Sequence, residues 1–221
     1  MFANFDLNSM VIFMAALLMA VTFHEVAHGY AALRMGDPTA SQAGRLTLNP
    51  LRHLDLFGSL ILPLILAISG GPPFGYAKPV PVNPARFKNY RQGTLLVSSA
   101  GVVANLVLAV IAGLLFRIVI ELAPFWNHDY IRPLALDLFE LLQYMVGINV
   151  ILVVFNLIPI PPLDGSRILA LFLPPALRDS YARIERIGLI LVAVLLFTGV
   201  IREILQMVAL PLMELLLGPT R

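Results

Sequence analysis

Two histidines and a glutamate near the end of the first long apolar stretch have the types and spacing of a hydrolytic metal site. His24 and His28 are four residues apart, which on an α-helix places their side chains about 40° apart around the axis. Both imidazoles can therefore reach one metal ion, and Glu25 projects near the same face. A carboxylate at that position can take a proton from a water activated by the metal. This is the H-E-x-x-H arrangement of zinc-dependent hydrolases.

The apolar setting of this motif favours chemistry over a structural role. The chain has 221 residues, of which 59% are hydrophobic and 13% charged, and its mean hydropathy is +0.86. These values predict an integral membrane protein, because ordinary globular chains carry about 25% charged residues. Ionisable side chains at membrane depth are costly unless they have partners and a task. The structural alternative is a polar patch that neighbouring helices satisfy.

A catalytic zinc usually has a third protein ligand, with the fourth position left to water. The chain has no cysteine, so the ligands must be histidines and carboxylates. The candidates are His53, Asp55, His128 and Asp164. Asp164 is favoured because its apolar span returns to the side of the membrane where the first span places His24 and His28. An ordinary turn aspartate is the alternative.

The other candidates have simpler interpretations. His53 and Asp55 could bind metal or orient a ligand, but they could equally cap the next helix or fix the loop around them. His128 lies beside Asp129 in a short loop on the opposite side of the membrane, where a solvated histidine is expected.

The elements that must position these residues are predicted to be helices. The fold class is an all-α polytopic membrane protein with about five to six transmembrane helices. The candidate spans are residues 10–33, 56–68, 94–122, 134–157 and 187–217. The second is short and contains a proline. The last is predicted to be broken at Gly199, Arg202-Glu203 and Pro211, giving one kinked helix or a hairpin of two short ones.

One segment is not expected to be helical. Gly70 to Pro84 is dense in proline and glycine, which excludes a regular helix. It is predicted to be a small irregular or β re-entrant element that lines a protein cavity. A loop lying wholly on the cytoplasmic surface remains the alternative. As a strand edge, this segment could hold an unwound peptide by strand addition.

Charge placement predicts the orientation of the chain. Arg34, Arg45 and Arg52 follow the first span, so by the positive-inside rule the active site lies towards the cytoplasm and the N-terminus lies outside. The net charge of +2 is scattered between apolar runs and does not indicate nucleic-acid binding. One domain, residues 1–221, accounts for the chain, with a catalytic core of about 10–170 and a C-terminal helical region of about 180–217.

Two motifs together resemble a known family. HEVAH in the first apolar stretch and NLIPIPPLDG at the end of a later one are similar to the site-2 protease family of intramembrane zinc metalloproteases. The pieces GRLTLNP, HLD and YAKPV, and Gly101 with Asn105, agree with its compact bacterial and archaeal branch, which lacks PDZ and CBS domains.

The resemblance implies a role for each motif residue. His24, His28 and Asp164 would ligate one Zn²⁺. Glu25 would act as general base and then as proton donor to the leaving amine. Asn105 would polarise or position the substrate carbonyl.

The implied activity is hydrolysis of peptide bonds in or near transmembrane segments of a protein or peptide held in the lipid bilayer, in a prokaryotic inner membrane. Two other functions stay open at this point. One is a metal transporter or sensor that uses the same ligands, and the other is a module that captures membrane helices without cleaving them. The substrate and the oligomeric state are not predicted.

Overall fold

The computed structural model describes residues 7–55, 78–122 and 131–218. Within these ranges the regular elements are helices. They are α1 (Leu7–Arg34), α2 (Thr39–Gln42), α3 (Tyr90–Glu121), α4 (Arg132–Leu157), α5 (Asp164–Ala170), α6 (Pro175–Phe197) and α7 (Val200–Leu217). Single 3₁₀ turns lie at Pro50–Arg52 and Pro84–Arg86.

The centre of the fold is a bundle of α1, α3 and α4, each of which contacts the other two. At one end, the Asn8 side-chain amide donates to Asp137 at 2.8 Å, so α1 and α4 begin together. At the other end, the Lys88 N–H donates to the Met35 carbonyl at 2.9 Å, so α3 begins where α1 ends. The helix α3 therefore runs antiparallel to both neighbours.

Small side chains allow α1 and α3 to approach closely. Ala16 and Ala20 of α1 and Ala109 and Ala112 of α3 are all almost completely buried in one apolar cluster with residues of α4. Helices in lipid associate through such close packing, because the surrounding lipid tails are as apolar as the side chains. The bundle therefore holds the backbones of α1 and α3 at short distance, which matters for the residues described below.

Asparagine caps set the starts of three elements. The Asn89 side chain accepts from the Gln92 N–H at 3.0 Å at the beginning of α3. Asn49 and Asn83 cap the two 3₁₀ turns in the same way, each followed by a proline whose missing N–H costs nothing at the first helical position.

Three of the helices, α1, α3 and α4, are long and apolar enough to cross a membrane. The pair α6 and α7 passes the same test together, with a bend of 75° between them, which gives up to four spans among the described residues. These three spans confirm the predicted ones at 10–33, 94–122 and 134–157. The candidate at 56–68 lies outside the described residues, and the total of five to six is not confirmed.

The C-terminal region differs in part from its prediction. The break at Gly199 is present, where φ is +84°, a backbone conformation that suits glycine. The predicted breaks at Arg202-Glu203 and Pro211 were wrong, because α7 continues through both. The Arg117 side chain at the end of α3 donates to the carbonyls of Leu215 and Leu216, so it satisfies the C-terminal end of α7.

The predicted β element falls mostly outside the described residues. Its described part, from residue 78 onwards, contains no assigned strand and leads into the 3₁₀ turn at Pro84–Arg86. All regular secondary structure in the described residues is therefore helical.

Candidate metal centre

Three predicted ligands meet at the end of the bundle where α3 begins. His24 Nε2 and His28 Nε2 lie 3.0 Å apart. Asp164 Oδ2 lies 3.4 Å from His24 Nε2 and 3.2 Å from His28 Nε2. Among the described residues, these three form the group of His and carboxylate side chains whose ligand atoms could share one ion. His24 and Asp164 are buried, and the side chain of His28 is 12% exposed.

The spacing of these atoms fits zinc. Ligand atoms bound at 2.0–2.1 Å in tetrahedral directions are separated from one another by about 3.3 Å. The three observed distances of 3.0, 3.2 and 3.4 Å bracket that value. The donor set of two imidazoles and one carboxylate is also a set that catalytic zinc uses, with one position left open. The residues present therefore fit the metal.

The carbonyl of Val97 on α3 orients one of the two histidines. It lies 2.7 Å from His28 Nδ1, and a carbonyl can only accept, so Nδ1 carries the proton. The lone pair of His28 is then on Nε2, the atom that faces His24 and Asp164. A second partner of this kind is typical of metal-ligating histidines, because it fixes both the tautomer and the ring orientation.

A glycine on α3 makes room for both rings. A Cβ at Gly101 would lie 2.5 Å from His24 Cε1 and 2.5 Å from His28 Nε2. Any larger residue would therefore push the imidazoles away from their present positions. Val97 and Gly101 are one helical turn apart, so the same face of α3 both bonds to and packs against the histidines.

The turn after α4 delivers Asp164. Prolines at 159, 161 and 162 cannot continue the helix, and the chain begins again as α5 with Asp164 in its first turn. A Cβ at Gly165 would collide with the Leu157 carbonyl oxygen, so glycine lets α5 approach the end of α4 closely. The Ser166 hydroxyl donates to the Leu163 carbonyl at 2.6 Å and tightens the same turn. The carboxylate of Asp164 is thereby held at one place beside the histidines.

Glu25 has a backbone partner. The Val80 N–H donates to Glu25 Oε2 at 2.7 Å. The carboxylate is therefore tied to the segment 78–83 through Oε2. Val80 itself is buried and packs close to Gly29 of α1, one turn after Glu25.

Three further hydrogen bonds hold the segment 78–83 against the bundle. The Lys78 N–H donates to the His53 carbonyl at 3.0 Å, and the buried Arg45 side chain donates to the Lys78 carbonyl at 2.7 Å. The Asn83 N–H donates to Asp37 Oδ2 at 2.6 Å. Residues 36–55, which follow α1 and which we call the connector, therefore hydrogen-bond to both ends of the segment 78–83. Val80, which contacts Glu25, lies between those ends.

The Asp37 carboxylate is fully buried just beyond the end of α1. Burial opposes its ionisation, but the N–H of Asn83, the hydroxyl and N–H of Thr39 and the charge of Arg86 outweigh that effect, so the pKa of Asp37 lies below its usual value. In the sequence, Gly36-Asp37-Pro38-Thr39 has the composition of a turn, and nothing there indicates Asn83, which is distant in the chain.

The remaining candidates lie as follows. His53 is buried, and its Nε2 contacts the Thr47 carbonyl at 2.8 Å, so it fixes its own loop and is not part of the ligand group. Asn105 lies on α3 one turn beyond Gly101 and is completely buried, with no hydrogen-bond partner for its amide in the described part of the chain. His128 lies outside the described residues.

The sequence does not reveal that Val97 and Val80 hydrogen-bond to residues of the site. Both act through backbone atoms, so no side-chain type marks them. The sequence signals near Val80 are the YAKPV piece and the two flanking prolines, which restrict the backbone, and neither signal reveals a partner.

Comparisons with known proteins agree with the geometry. The family model described as Peptidase family M50 matches residues 12–199. The Bacillus subtilis protein named "Putative zinc metalloprotease YwhC" is 38% identical over 197 residues, which is 89% of this chain and 85% of that protein.

Two mycobacterial proteins, each named "Putative zinc metalloprotease Rip2", are also similar. The one from Mycolicibacterium smegmatis is 33% identical over 188 residues, 85% of this chain and 67% of that protein. The one from Mycobacterium tuberculosis H37Rv is 29% identical over 185 residues, 84% of this chain and 66% of that protein. No solved structure matches the chain.

Proposed function

The chain belongs to Peptidase family M50 and is a zinc metalloprotease of the membrane, and we propose that it hydrolyses peptide bonds in or near transmembrane segments of its substrates. The observation that carries this proposal is the convergence of His24, His28 and Asp164 beside Glu25, within helices apolar enough to span a bilayer. Ionisable groups among membrane-spanning helices are costly and mark a functional site, and in a metalloprotease that site is where the bond to be cut must lie.

The three ligands would hold one zinc, and Glu25 would move the proton. Zinc, when bound, supplies a Lewis acid that polarises a carbonyl and makes water more acidic. Because the Val80 N–H occupies Oε2, Oε1 is the oxygen of Glu25 that would take the proton of the attacking water. The same oxygen would then give the proton to the nitrogen that leaves. Asn105 is proposed, from the family resemblance, to position the substrate carbonyl.

The substrate must be unwound before it is cut, since the amides of a membrane helix are already hydrogen-bonded. We place the unwound peptide beside the segment from Gly70 to Pro84. In its described part the N–H groups of Lys78, Val80 and Asn83 already have protein partners, so the substrate would pair with other backbone groups of this segment.

The site is proposed to open to the cytoplasm of a prokaryotic cell, in the inner membrane. Basic side chains gather at the end of the bundle that carries the metal centre, among them Arg34, Lys88 and Arg91. The positive-inside rule assigns that end to the cytoplasmic side.

The test uses purified protein in vesicles with a single-span reporter whose helix contains a helix-breaking residue. Mass spectrometry of the products locates the cut bond. We expect a cut within or next to the span by wild type and none by Glu25→Gln. Cleavage confined to soluble parts of the reporter would leave a metalloprotease but contradict intramembrane cleavage.

A further inference from the structure

The turn that delivers Asp164 has few hydrogen-bond donors of its own. We refer to residues 158–163, between α4 and α5, as the ligand turn. Its prolines, at positions 159, 161 and 162, have no N–H to donate. The N–H groups of Ile160 and Leu163 bond within the turn itself, to the carbonyls of Ile158 and Ile160. Contacts with other elements are therefore needed to fix the ligand turn relative to the bundle.

The helix α6 supplies hydrogen bonds on both sides of the metal ligand. The Tyr181 hydroxyl donates to the Pro159 carbonyl, in the ligand turn, at 2.7 Å. About one helical turn earlier, the Arg178 side chain donates to the carbonyls of Ala170 at 3.0 Å and Leu173 at 3.3 Å. These carbonyls lie where α5 ends, so they have no partner in a following turn of helix. The helix α6 thus bonds to the chain both before and after α5.

A glycine of α6 brings the two backbones together. A Cβ at Gly188 would lie 2.2 Å from the Pro161 carbonyl oxygen and 2.7 Å from the carbonyl carbon. Both are backbone atoms, which cannot rotate away as the end of a flexible side chain can. Gly188 lies seven residues after Tyr181, close to two full turns, so both residues are on one face of α6.

Apolar packing extends the same contact. Val192, which is 1% exposed, packs in one cluster with Ile158 and Leu163, the first and last residues of the ligand turn. It lies four residues after Gly188 and therefore continues the face that begins at Tyr181. One face of α6 thus contacts the ligand turn along its whole length.

We propose that α6 positions the third metal ligand, with Tyr181 and Gly188 as positioning residues that act through the ligand turn. Neither belongs to the group of ligand side chains, and both act on the backbone that precedes Asp164. The catalytic core then extends into the C-terminal helical region. The inference rests on the proposed function, because it adds positioning residues to the same metal centre.

The first test measures zinc affinity of the full-length protein in detergent, by competition with a chromogenic chelator. Gly188→Ala should weaken zinc binding by about 10- to 100-fold, the usual effect of changing a group that supports a metal ligand. It should do so although alanine favours a helix over glycine. Gly113→Ala on α3 is the matched control, because its Cβ would meet Leu216 at 3.1 Å, and it should bind zinc as wild type does.

A second variant changes only one hydrogen bond. Tyr181→Phe keeps the ring and removes the hydroxyl that bonds to the Pro159 carbonyl. Zinc affinity should fall by about 2- to 10-fold, the effect of one net hydrogen bond between neutral groups. Tyr90→Phe, at an exposed position at the start of α3, is the control and should leave zinc affinity unchanged. This variant also tests the inference if Gly188→Ala does not fold.

A double-mutant cycle shows whether the effect passes through Asp164. In an Asp164→Ala background, His24 and His28 alone would bind zinc, more weakly. Adding Gly188→Ala to that background should change the residual zinc affinity by less than about 2-fold, because the residue through which α6 acts is already gone. A role of Gly188 in the stability of the whole bundle would weaken the residual site as well.

The inference is wrong if wild type, Gly188→Ala and Tyr181→Phe bind zinc equally well. It is also wrong if Gly188→Ala causes the same loss of affinity with and without Asp164. If the expected losses occur but wild type cleaves no reporter, the inference holds and the proposed proteolysis fails. If wild type binds no zinc at all, the metal centre and the inference fail together.

Discussion

The single residue that most constrains the metal centre is a glycine with no chemistry of its own. Gly101 lies where a Cβ would come within 2.5 Å of both ligand histidines. Its neighbour on the same face, Val97, holds His28 through a carbonyl. The two ligand histidines are therefore positioned by α3, although they belong to α1.

We expect Gly101→Ala to weaken zinc binding. The new methyl group would displace both imidazoles, and changes to the groups that support metal ligands typically cost about 10- to 100-fold in affinity. Competition with a chromogenic chelator measures this effect. Gly113→Ala on the same helix is the control, since its Cβ would meet Leu216 Cβ at 3.1 Å, away from the site. Equal zinc affinity in wild type and Gly101→Ala would contradict the close packing.

At the scale of single residues, the sequence predicts which side chains form the site far better than which backbone groups hydrogen-bond to them. Residue type and spacing singled out His24, Glu25 and His28, while the return of its span and the family resemblance favoured Asp164. The structure brings the three predicted ligands together. The N–H of Val80 and the carbonyl of Val97 were not found, because every residue carries these groups. Only the packing of distant segments decides which of them face the site.

Among the elements, the short segment 78–83 contributes most to the position of Glu25. It is neither helix nor strand, yet its four hydrogen bonds to Glu25, Asp37, Arg45 and the His53 carbonyl join it to the bundle and the connector. Its position holds the carboxylate of Glu25 in one orientation.

Val80→Pro tests this directly, since proline removes the N–H that bonds to Glu25. A hydrogen bond to a charged group is worth about 1.5–3 kcal/mol, so we expect kcat to fall by about 10- to 100-fold. Zinc content should not change. Val80→Ala keeps the N–H and should retain most of the activity. If proline and alanine give the same kcat, Val80 does not position Glu25.

Asp37 should stabilise the connector in a pH-dependent manner. Because its pKa is lowered in the folded protein, its contribution is full above the ordinary aspartate value of about 3.9 and is lost as the pH falls through the folded value. We expect Asp37→Asn to lower the Tm in detergent clearly at pH 7 and much less at a pH well below 4, where Asp37 is protonated in the folded protein too. Asp179→Asn, at an exposed position of α6, is the control. An Asp37→Asn deficit that is equal at both pH values would contradict this.

The elements themselves were predicted unevenly, for physical reasons. Long apolar runs with clear ends gave α1, α3 and α4 to within a few residues. In the C-terminal region, Gly199 broke the helix as expected, but Pro211 did not. A proline removes one hydrogen bond, and packing of α7 against α3 and α4 offsets that loss. The helix propensity of the local sequence does not include the free energy of packing against other helices.

For the whole molecule, the distribution of basic side chains predicts that the metal centre faces the cytoplasm. The chain has no cysteine, so single-cysteine variants report accessibility without background. Lys88→Cys lies at the end with the metal centre, and Arg132→Cys lies at the opposite end, both exposed. In intact spheroplasts, a membrane-impermeant maleimide should label Arg132→Cys and should label Lys88→Cys only after lysis. The reverse pattern would place the active site outside.

We have proposed that His24, His28 and Asp164 hold one zinc and that Glu25 transfers the proton. The most direct measurement determines zinc per chain and reporter cleavage together, for wild type, Glu25→Gln and Asp164→Ala. We expect one zinc in wild type and in Glu25→Gln, weakened zinc binding in Asp164→Ala, and cleavage by wild type alone. Full zinc affinity in Asp164→Ala, or cleavage by Glu25→Gln at the wild-type rate, would contradict it.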